Sequence, residues 1–186
     1  RAAGIATISY TLVSPTGCAG SVTIFDTVHA PTTLPAITGI ARQCVGATSM
    51  LMNDTLGGRW LSGDTTIATV GVSTGIVTGR IPGIIDIYYF YTNAFGCNST
   101  TSIADTVNAY PVVSAITGIT RQCMGTSTTL SDSTLGGVWS SSDAAVASVG
   151  TGGIVSGVSA GTANITYSVT NGFGCTTISV ATITVN

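Results

Sequence analysis

The chain contains an internal repeat, and that repeat limits what it can fold into. Ile37-Thr-Gly-Ile-Ala-Arg-Gln-Cys-Val-Gly46 returns 79 residues later as Ile116-Thr-Gly-Ile-Thr-Arg-Gln-Cys-Met-Gly125. Thr55-Leu-Gly-Gly-Arg-Trp60 returns at the same offset as Thr134-Leu-Gly-Gly-Val-Trp139. One deletion near Gly152 shortens the offset to 78, so that Gly75-Ile-Val-Thr-Gly79 matches Gly153-Ile-Val-Ser-Gly157 and Phe95-Gly-Cys97 matches Phe173-Gly-Cys175. The first 28 residues align with the last third of a copy: Gly4 with Gly83, Tyr10 with Tyr89, Cys18 with Cys97. Each full copy is long enough for a small domain. The expected organisation is a C-terminal part of a repeat at 1–28, a full repeat at 29–108 and another at 109–186. Linkers are expected at Ala30-Pro-Thr-Thr-Leu-Pro35 and Tyr110-Pro-Val-Val-Ser114, where proline stiffens the joint.

Within each copy the hydrophobic period is that of a strand. In Thr162-Ala-Asn-Ile-Thr-Tyr-Ser-Val169 the apolar residues alternate, which puts Ala163, Ile165, Tyr167 and Val169 on one face. Ala6, Ile8, Tyr10 and Leu12 do the same in the first copy. Gly-rich and Asn/Asp-rich breaks separate these short segments at the spacing of a sandwich. No stretch sustains a helical period with caps. The fold class expected is all-β: tandem sandwiches preceded by a partial domain that supplies one hairpin.

Composition then narrows function. Charged residues make up 6% of the chain, against roughly 25% in an ordinary soluble domain, and there is no Lys or Glu. A single His leaves few general acids, bases or metal ligands, so no enzyme, metal site or cofactor is expected. Five scattered Arg at net charge −2 make no basic footprint for nucleic acid. At 44% hydrophobic the chain is not disordered, and no run of about 18 apolar residues marks a membrane span. There is no signal peptide, which predicts that the mature chain begins elsewhere or has been trimmed.

Four segments of the last copy resemble the bacterial Ig-like group 2 domain: Trp139-Ser-Ser141, Ala147-Ser-Val149, Gly153-Ile-Val155 and Ala160-Gly-Thr-Ala-Asn-Ile165. The middle copy departs at two of them, with Trp60-Leu-Ser62 and Pro82-Gly-Ile-Ile85. The resemblance implies tandem sandwiches of the kind found in bacterial surface adhesins, stalks and large secreted repeat proteins, and it implies no catalysis. The fold alone does not say what such a stalk binds.

The cysteines point to an oxidising compartment. Each full copy carries an early one (Cys44, Cys123) and a late one (Cys97, Cys175), with Cys18 the late cysteine of the fragment. Two pairings stay open. One bonds the early and late cysteines within each copy. In a sandwich, however, the early cysteine precedes the A–B turn while the late one sits in the F–G turn, at opposite ends of strands that span about 20 Å. A disulfide needs Cα atoms within about 7 Å. The other pairing staples adjacent domains, joining Cys44 to Cys175 and leaving Cys18, Cys97 and Cys123 for partners outside this chain.

Other candidates carry competing readings. Five of the seven Asp stand before Ser or Thr in a pattern that resembles a bacterial O-glycosylation sequon, with Thr27, Thr55, Thr65, Thr106 and Ser133 as the acceptors. The same dipeptides favour turns and arise readily in a chain with 33 Thr and 20 Ser. Asn53, Asn98 and Asn164 head N-glycosylation sequons that need the matching machinery. His29 has no ligand at metal spacing. Trp60 and Trp139 read as sandwich-core residues before sugar platforms.

The two full copies agree inwardly and differ outwardly. Leu51, Trp60 and Tyr89 match Leu130, Trp139 and Tyr167, but Leu61, Tyr88 and Phe90 stand where the last copy has Ser140, Thr166 and Ser168. Met50 and Met52 replace Thr129 and Ser131 on the opposite sheet. These changes are either strand-propensity choices on a tolerant surface or a stripe covered by neighbouring chains. The face Ala6, Ile8, Tyr10 and Leu12 likewise needs cover, because a lone hairpin is marginal in water. Either an upstream portion is missing or the hairpin completes a sheet in another subunit. The partners expected are therefore other copies of the chain or adjacent repeats, with glycans attached. The expected role is a structural component of an extracellular or cell-surface bacterial fibre or stalk. The alternative is an adhesin segment that binds a host or surface ligand through the apolar stripe, and an accessory domain of a secreted enzyme comes third.

Overall fold

The computed structural model describes residues 3–186, so the first two residues of the partial repeat lie outside the described residues. The protein is all-β. The N-terminal part is an antiparallel hairpin, β1 (Gly4–Val13) and β2 (Ala19–Val28), in register Ile8↔Ile24 and Tyr10↔Val22. Among the described residues its sheet has these two strands and no other.

The middle repeat contributes β3 (Thr38–Gly39), β4 (Arg42–Cys44), β5 (Thr48–Met52), β6 (Arg59–Ser62), β7 (Ala68–Val70), β8 (Ile76–Gly79), β9 (Gly83–Thr92) and β10 (Asn98–Asn108). They form two four-stranded sheets, β3-β5-β8-β7 and β4-β10-β9-β6. The last repeat repeats the plan with β11 (Thr117–Gly118), β12 (Arg121–Gln122), β13 (Ser127–Ser131), β14 (Val138–Ser141), β15 (Ala147–Val149), β16 (Ile154–Gly157), β17 (Gly161–Thr170) and β18 (Thr176–Val185). Its sheets are β11-β13-β16-β15 and β12-β18-β17-β14. Each repeat is a sandwich in which the first strand of the fold splits between the two sheets.

The chain divides into two compact units. One holds residues 1–41, 49–78 and 84–105, and the other holds 42–48, 79–83 and 106–186. The short segments around Cys44, Gly79 and Asn108 thus group with the last repeat. That unit contains the Cys44–Cys175 bond.

Period-2 alternation builds the cores. Along β17 the inward residues Ala163, Ile165, Tyr167 and Val169 are buried while their neighbours face out; Ile183 and Val185 extend that face on β18, and Leu130 and Val155 of the opposite sheet pack in the same core as Ala163 and Ile165. Leu51, Val77, Ile87 and Tyr89 are buried in the same way in the middle repeat.

The Thr-Leu-Gly-Gly-x-Trp motif has a physical account. The Tyr89 hydroxyl accepts the Gly58 N–H at 2.9 Å and donates to the Thr55 carbonyl. Tyr167 does the same with Gly137 (2.9 Å) and Thr134 (2.6 Å). The tyrosine ring lies so close that a Cβ on Gly58 would come within 2.3 Å of it, and one on Gly137 within 2.2 Å. Only glycine lets the loop backbone approach this near. Trp60 and Trp139 then pack on the same rings, with centroids 4.7 Å and 4.6 Å away.

Candidate functional site

Three surfaces carry the residues that sequence reasoning selects. The first is the outer face of the β6–β9 pair. Leu61 lies opposite Tyr88, and Arg59 opposite Phe90. Leu61 and Phe90 are exposed, Tyr88 is half-buried, and the Tyr88 and Phe90 rings stand 6.0 Å apart. Alternation dictates this: Trp60, Ile87 and Tyr89 point into the core, so their neighbours must point out. Beside the row is a cleft of about 630 Å³ lined by Gly57, Arg59, Phe90, Tyr91, Thr92, Asn98, Ser99 and Thr100. Met50 and Met52 are exposed on β5, which lies in the other sheet of the middle repeat.

The last repeat has an apolar outer face of its own. Its β14-β17-β18 face also presents apolar side chains, with Val138, Ile178 and Val180 all exposed. Val138 and Ile178 flank Ser168 in one row, and Ser140 and Val180 flank Thr166 in the next. The apolar residues have moved from the central strand to its neighbours. At the aligned positions the middle repeat has Arg59, Thr100 and Ser102, so the exchange of polar for apolar runs in both directions.

The second surface is the hairpin. Ile8, Tyr10 and Leu12 are exposed, and so are Val22 and Ile24 on the partner strand. Ala6 is exposed as well. Ile5, Val13 and Phe25 are exposed on the same two strands, so among the described residues nothing covers either face.

The third is the set of cysteines. Cys44 and Cys175 are disulfide-bonded, with Cα atoms 5.8 Å apart and 131 residues between them. Cys18, Cys97 and Cys123 are free; Cys97 is half-buried and the other two are exposed. The turns that carry the late cysteines share one design. Asn93 Oδ1 accepts the N–H groups of Phe95 (3.0 Å) and Cys97 (2.9 Å), while its Nδ2 donates to the Ala30 carbonyl at 3.1 Å. Asn171 accepts from Phe173 and Cys175 and donates to the Ala109 carbonyl at 2.9 Å. Ser14 replaces the asparagine in the hairpin's turn; its hydroxyl accepts the Cys18 N–H at 3.1 Å and shares a hydrogen bond with the Thr16 hydroxyl at 2.8 Å. His29 stacks on Phe95 with ring centroids 3.7 Å apart and planes 5° apart.

The glycosylation candidates fall in different settings. Thr27, Thr65 and Ser133 are exposed, whereas Thr55 and Thr106 are half-buried. The Thr55 carbonyl holds Tyr89, and Thr106 lies inside β10 opposite Arg42 on β4. The Asp64 carboxylate is held below the usual carboxylate range. The main cause is the Thr66 hydroxyl donating at 2.6 Å, with the Thr66 and Ile67 N–H groups adding to it against a slight opposing effect of burial. Among the described residues, no helix is long and apolar enough to cross a membrane.

These arrangements define a class: tandem Ig-like β-sandwiches with exposed apolar outer faces and a cysteine at each end. No protein-family model matches the chain, and no curated protein matches it. Among solved structures it is similar to domains 4 and 5 of the S-layer protein SbsC, at 17% identity and TM-score 0.37, over 84% of this chain and 98% of that one. It is also similar to SbsC domains 1–6, at 14% identity and TM-score 0.38, covering 99% of this chain and 35% of that one. A third is a Ca2+-stabilized adhesin with which an Antarctic bacterium binds ice, at 11% identity and TM-score 0.43, over 98% of this chain and 57% of that one. At such values the chain is assigned to none of them, and its fold rests on its own strands and registers.

Proposed function

We propose that the chain is a structural segment of a bacterial extracellular or cell-surface assembly, a fibre or stalk of Ig-like group 2 repeats whose copies associate through the middle repeat. The observation that carries this reading is the outer row of Leu61, Tyr88 and Phe90. Contiguous apolar patches on soluble proteins usually mark contact surfaces. The Cys44–Cys175 bond fits an oxidising compartment. The reading is non-catalytic, because one His with no Lys or Glu leaves few groups for proton transfer. O-glycans at the exposed acceptors Thr27, Thr65 and Ser133 belong to the same reading. Sedimentation of the purified chain tests it: self-association is expected, and Tyr88→Thr with Phe90→Ser should abolish it without lowering the melting temperature. Unchanged association in that variant overturns the reading.

A second reading is favoured by the cleft beside Phe90. Its lining combines an aromatic ring, the Arg59 guanidinium and the polar groups of Asn98, Ser99 and Thr100, a mixture suited to orienting a polar ligand on an apolar platform. The chain would then be an adhesin segment. A soluble monomer that binds a foreign surface, losing that binding in Arg59→Ala, is its expected signature.

A further inference from the structure

The disulfide and the free cysteine Cys97 occupy equivalent places, and the comparison shows what Cys97 lacks. Around Cys175, strand β10 ends at Asn108, whose carbonyl oxygen lies 3.9 Å from Cys175 Sγ. Beside β10 runs β4 in parallel, with Cys44 opposite Asn108, and the Val45 N–H donates to Asn108 at 3.1 Å. The strand thus delivers Cys44 to Cys175. Around Cys97, β2 ends next to His29, which is the residue equivalent to Asn108, and Cys97 Sγ donates to the His29 carbonyl at 3.6 Å. The Asn93 turn, its bond to the linker carbonyl and the sulfur position all match. What differs is the strand beside β2: among the described residues the hairpin sheet ends there.

The hairpin shows the same deficit. Tyr10 and Ile8 stand where Tyr89 and Ile87 stand in the middle repeat, yet they are 69% and 54% exposed against 4% and 0%. In both full repeats that tyrosine is held by a Thr-Leu-Gly-Gly loop and packed against a tilted Trp ring, all supplied by the front part of the repeat.

We propose that the hairpin and Cys97 form the receiving half of one site. Its occupant is the front half of a further repeat of this same type, of which residues 29–82 are the example in this chain. An Arg-Gln-Cys strand enters parallel to Thr27–His29 and its cysteine bonds Cys97. The last repeat shows which groups the strand meets. There the Thr184 and Asn186 N–H groups donate to Thr120 (2.9 Å) and Gln122 (3.0 Å), and Met124 donates back to Asn186 (2.9 Å). The equivalents of Thr184 and Asn186 are Thr27 and His29. Bond formation converts two thiols to a disulfide, with the two electrons and two protons passing to a disulfide oxidant that leaves as two thiols. The site involves neither Leu61 nor Phe90, so this proposal and the outer-face reading can fail separately.

Thiol–disulfide exchange tests it on the whole chain with Cys44–Cys175 intact. The probe is a synthetic peptide with the sequence of residues 38–47, its cysteine activated as a 2-pyridyl disulfide. A chain thiolate attacks the peptide sulfur, the pyridyl S–S bond breaks and pyridine-2-thione leaves. Exposure alone predicts that iodoacetamide alkylates Cys97 more slowly than Cys18 and Cys123. The peptide should reverse that order, loading Cys97 at least about tenfold faster than the other two. A peptide with the residues around its cysteine scrambled should lose the preference. So should the chain variant Thr27→Pro, which removes an edge N–H that the proposal assigns to the incoming strand. Loading in the iodoacetamide order, or equal loading by the scrambled peptide, overturns the proposal.

Discussion

Ile8 and Ile165 hold the same position in two copies of one strand, on faces with the same alternation. Ile165 is sealed under the opposite sheet, while Ile8 stands in the open. The difference shows that alternation chooses a face but does not bury it. Burial comes from the front of the repeat, which brings the second sheet, the Trp and the loop that holds the tyrosine. A two-stranded ribbon has the register of the finished sandwich and none of its core.

The largest expected contrast follows from that. Ile165→Ala should cost about 2–5 kcal/mol in denaturant unfolding, the usual range for emptying a packed core site. Ile8→Ala should stay within about 0.5 kcal/mol, as exposed substitutions do. Equal losses at the two positions break the comparison, since the hairpin would then be buried in solution. Next come the cysteines. Cys175→Ser removes the closed bond and should lower stability by about 2–4 kcal/mol, read as a lower melting temperature. Cys97→Ser, at the equivalent but free position, should leave the melting curve unchanged.

Smaller effects sharpen the contrast between loops. Gly137→Ala forces a methyl against the Tyr167 ring and should cost about 1–3 kcal/mol by calorimetry, without changing the fold by circular dichroism. The smallest effect lies at Asp64. A carboxylate whose folded pKa is depressed adds stability above its ordinary pKa and loses it as pH falls through the lowered value. Thr66→Ala should shift Asp64's titration upward towards the ordinary range in an NMR titration, since the Thr66 hydroxyl is the main cause of the lowering. The last repeat has Ala145 at that place, with only its N–H donating to Asp143.

The outer faces teach a second lesson. The middle repeat puts its apolar side chains on β6 and β9, the last repeat on β14 and β18. Leu61, Tyr88 and Phe90 were legible because they replace polar residues at aligned positions. Val138, Ile178 and Val180 replace Arg59, Thr100 and Ser102 in the same way, but only the strand registers show that they line up around Ser168 and Thr166 as one face. The Phe90 cleft was hidden because its walls come from three separate segments: Gly57 and Arg59, Phe90 to Thr92, and Asn98 to Thr100. Of the motifs, Thr-Leu-Gly-Gly-x-Trp could be recognised as a repeated signal. Its purpose could not, since the tyrosine it serves lies about 30 residues downstream.

The sequence by itself determined that this protein is all-β, how long its repeat is, which residues of each strand share a face and where the turns fall. These are local matters, set by side-chain period and by glycine, proline and asparagine chemistry. The tertiary structure decided which cysteine met which, which apolar face was covered and which stayed open. Those outcomes depend on long-range pairing, where a strand such as β4 reaches β10 from about 60 residues away and carries Cys44 to Cys175. Periodicity within one segment holds no record of the partner that closes over it.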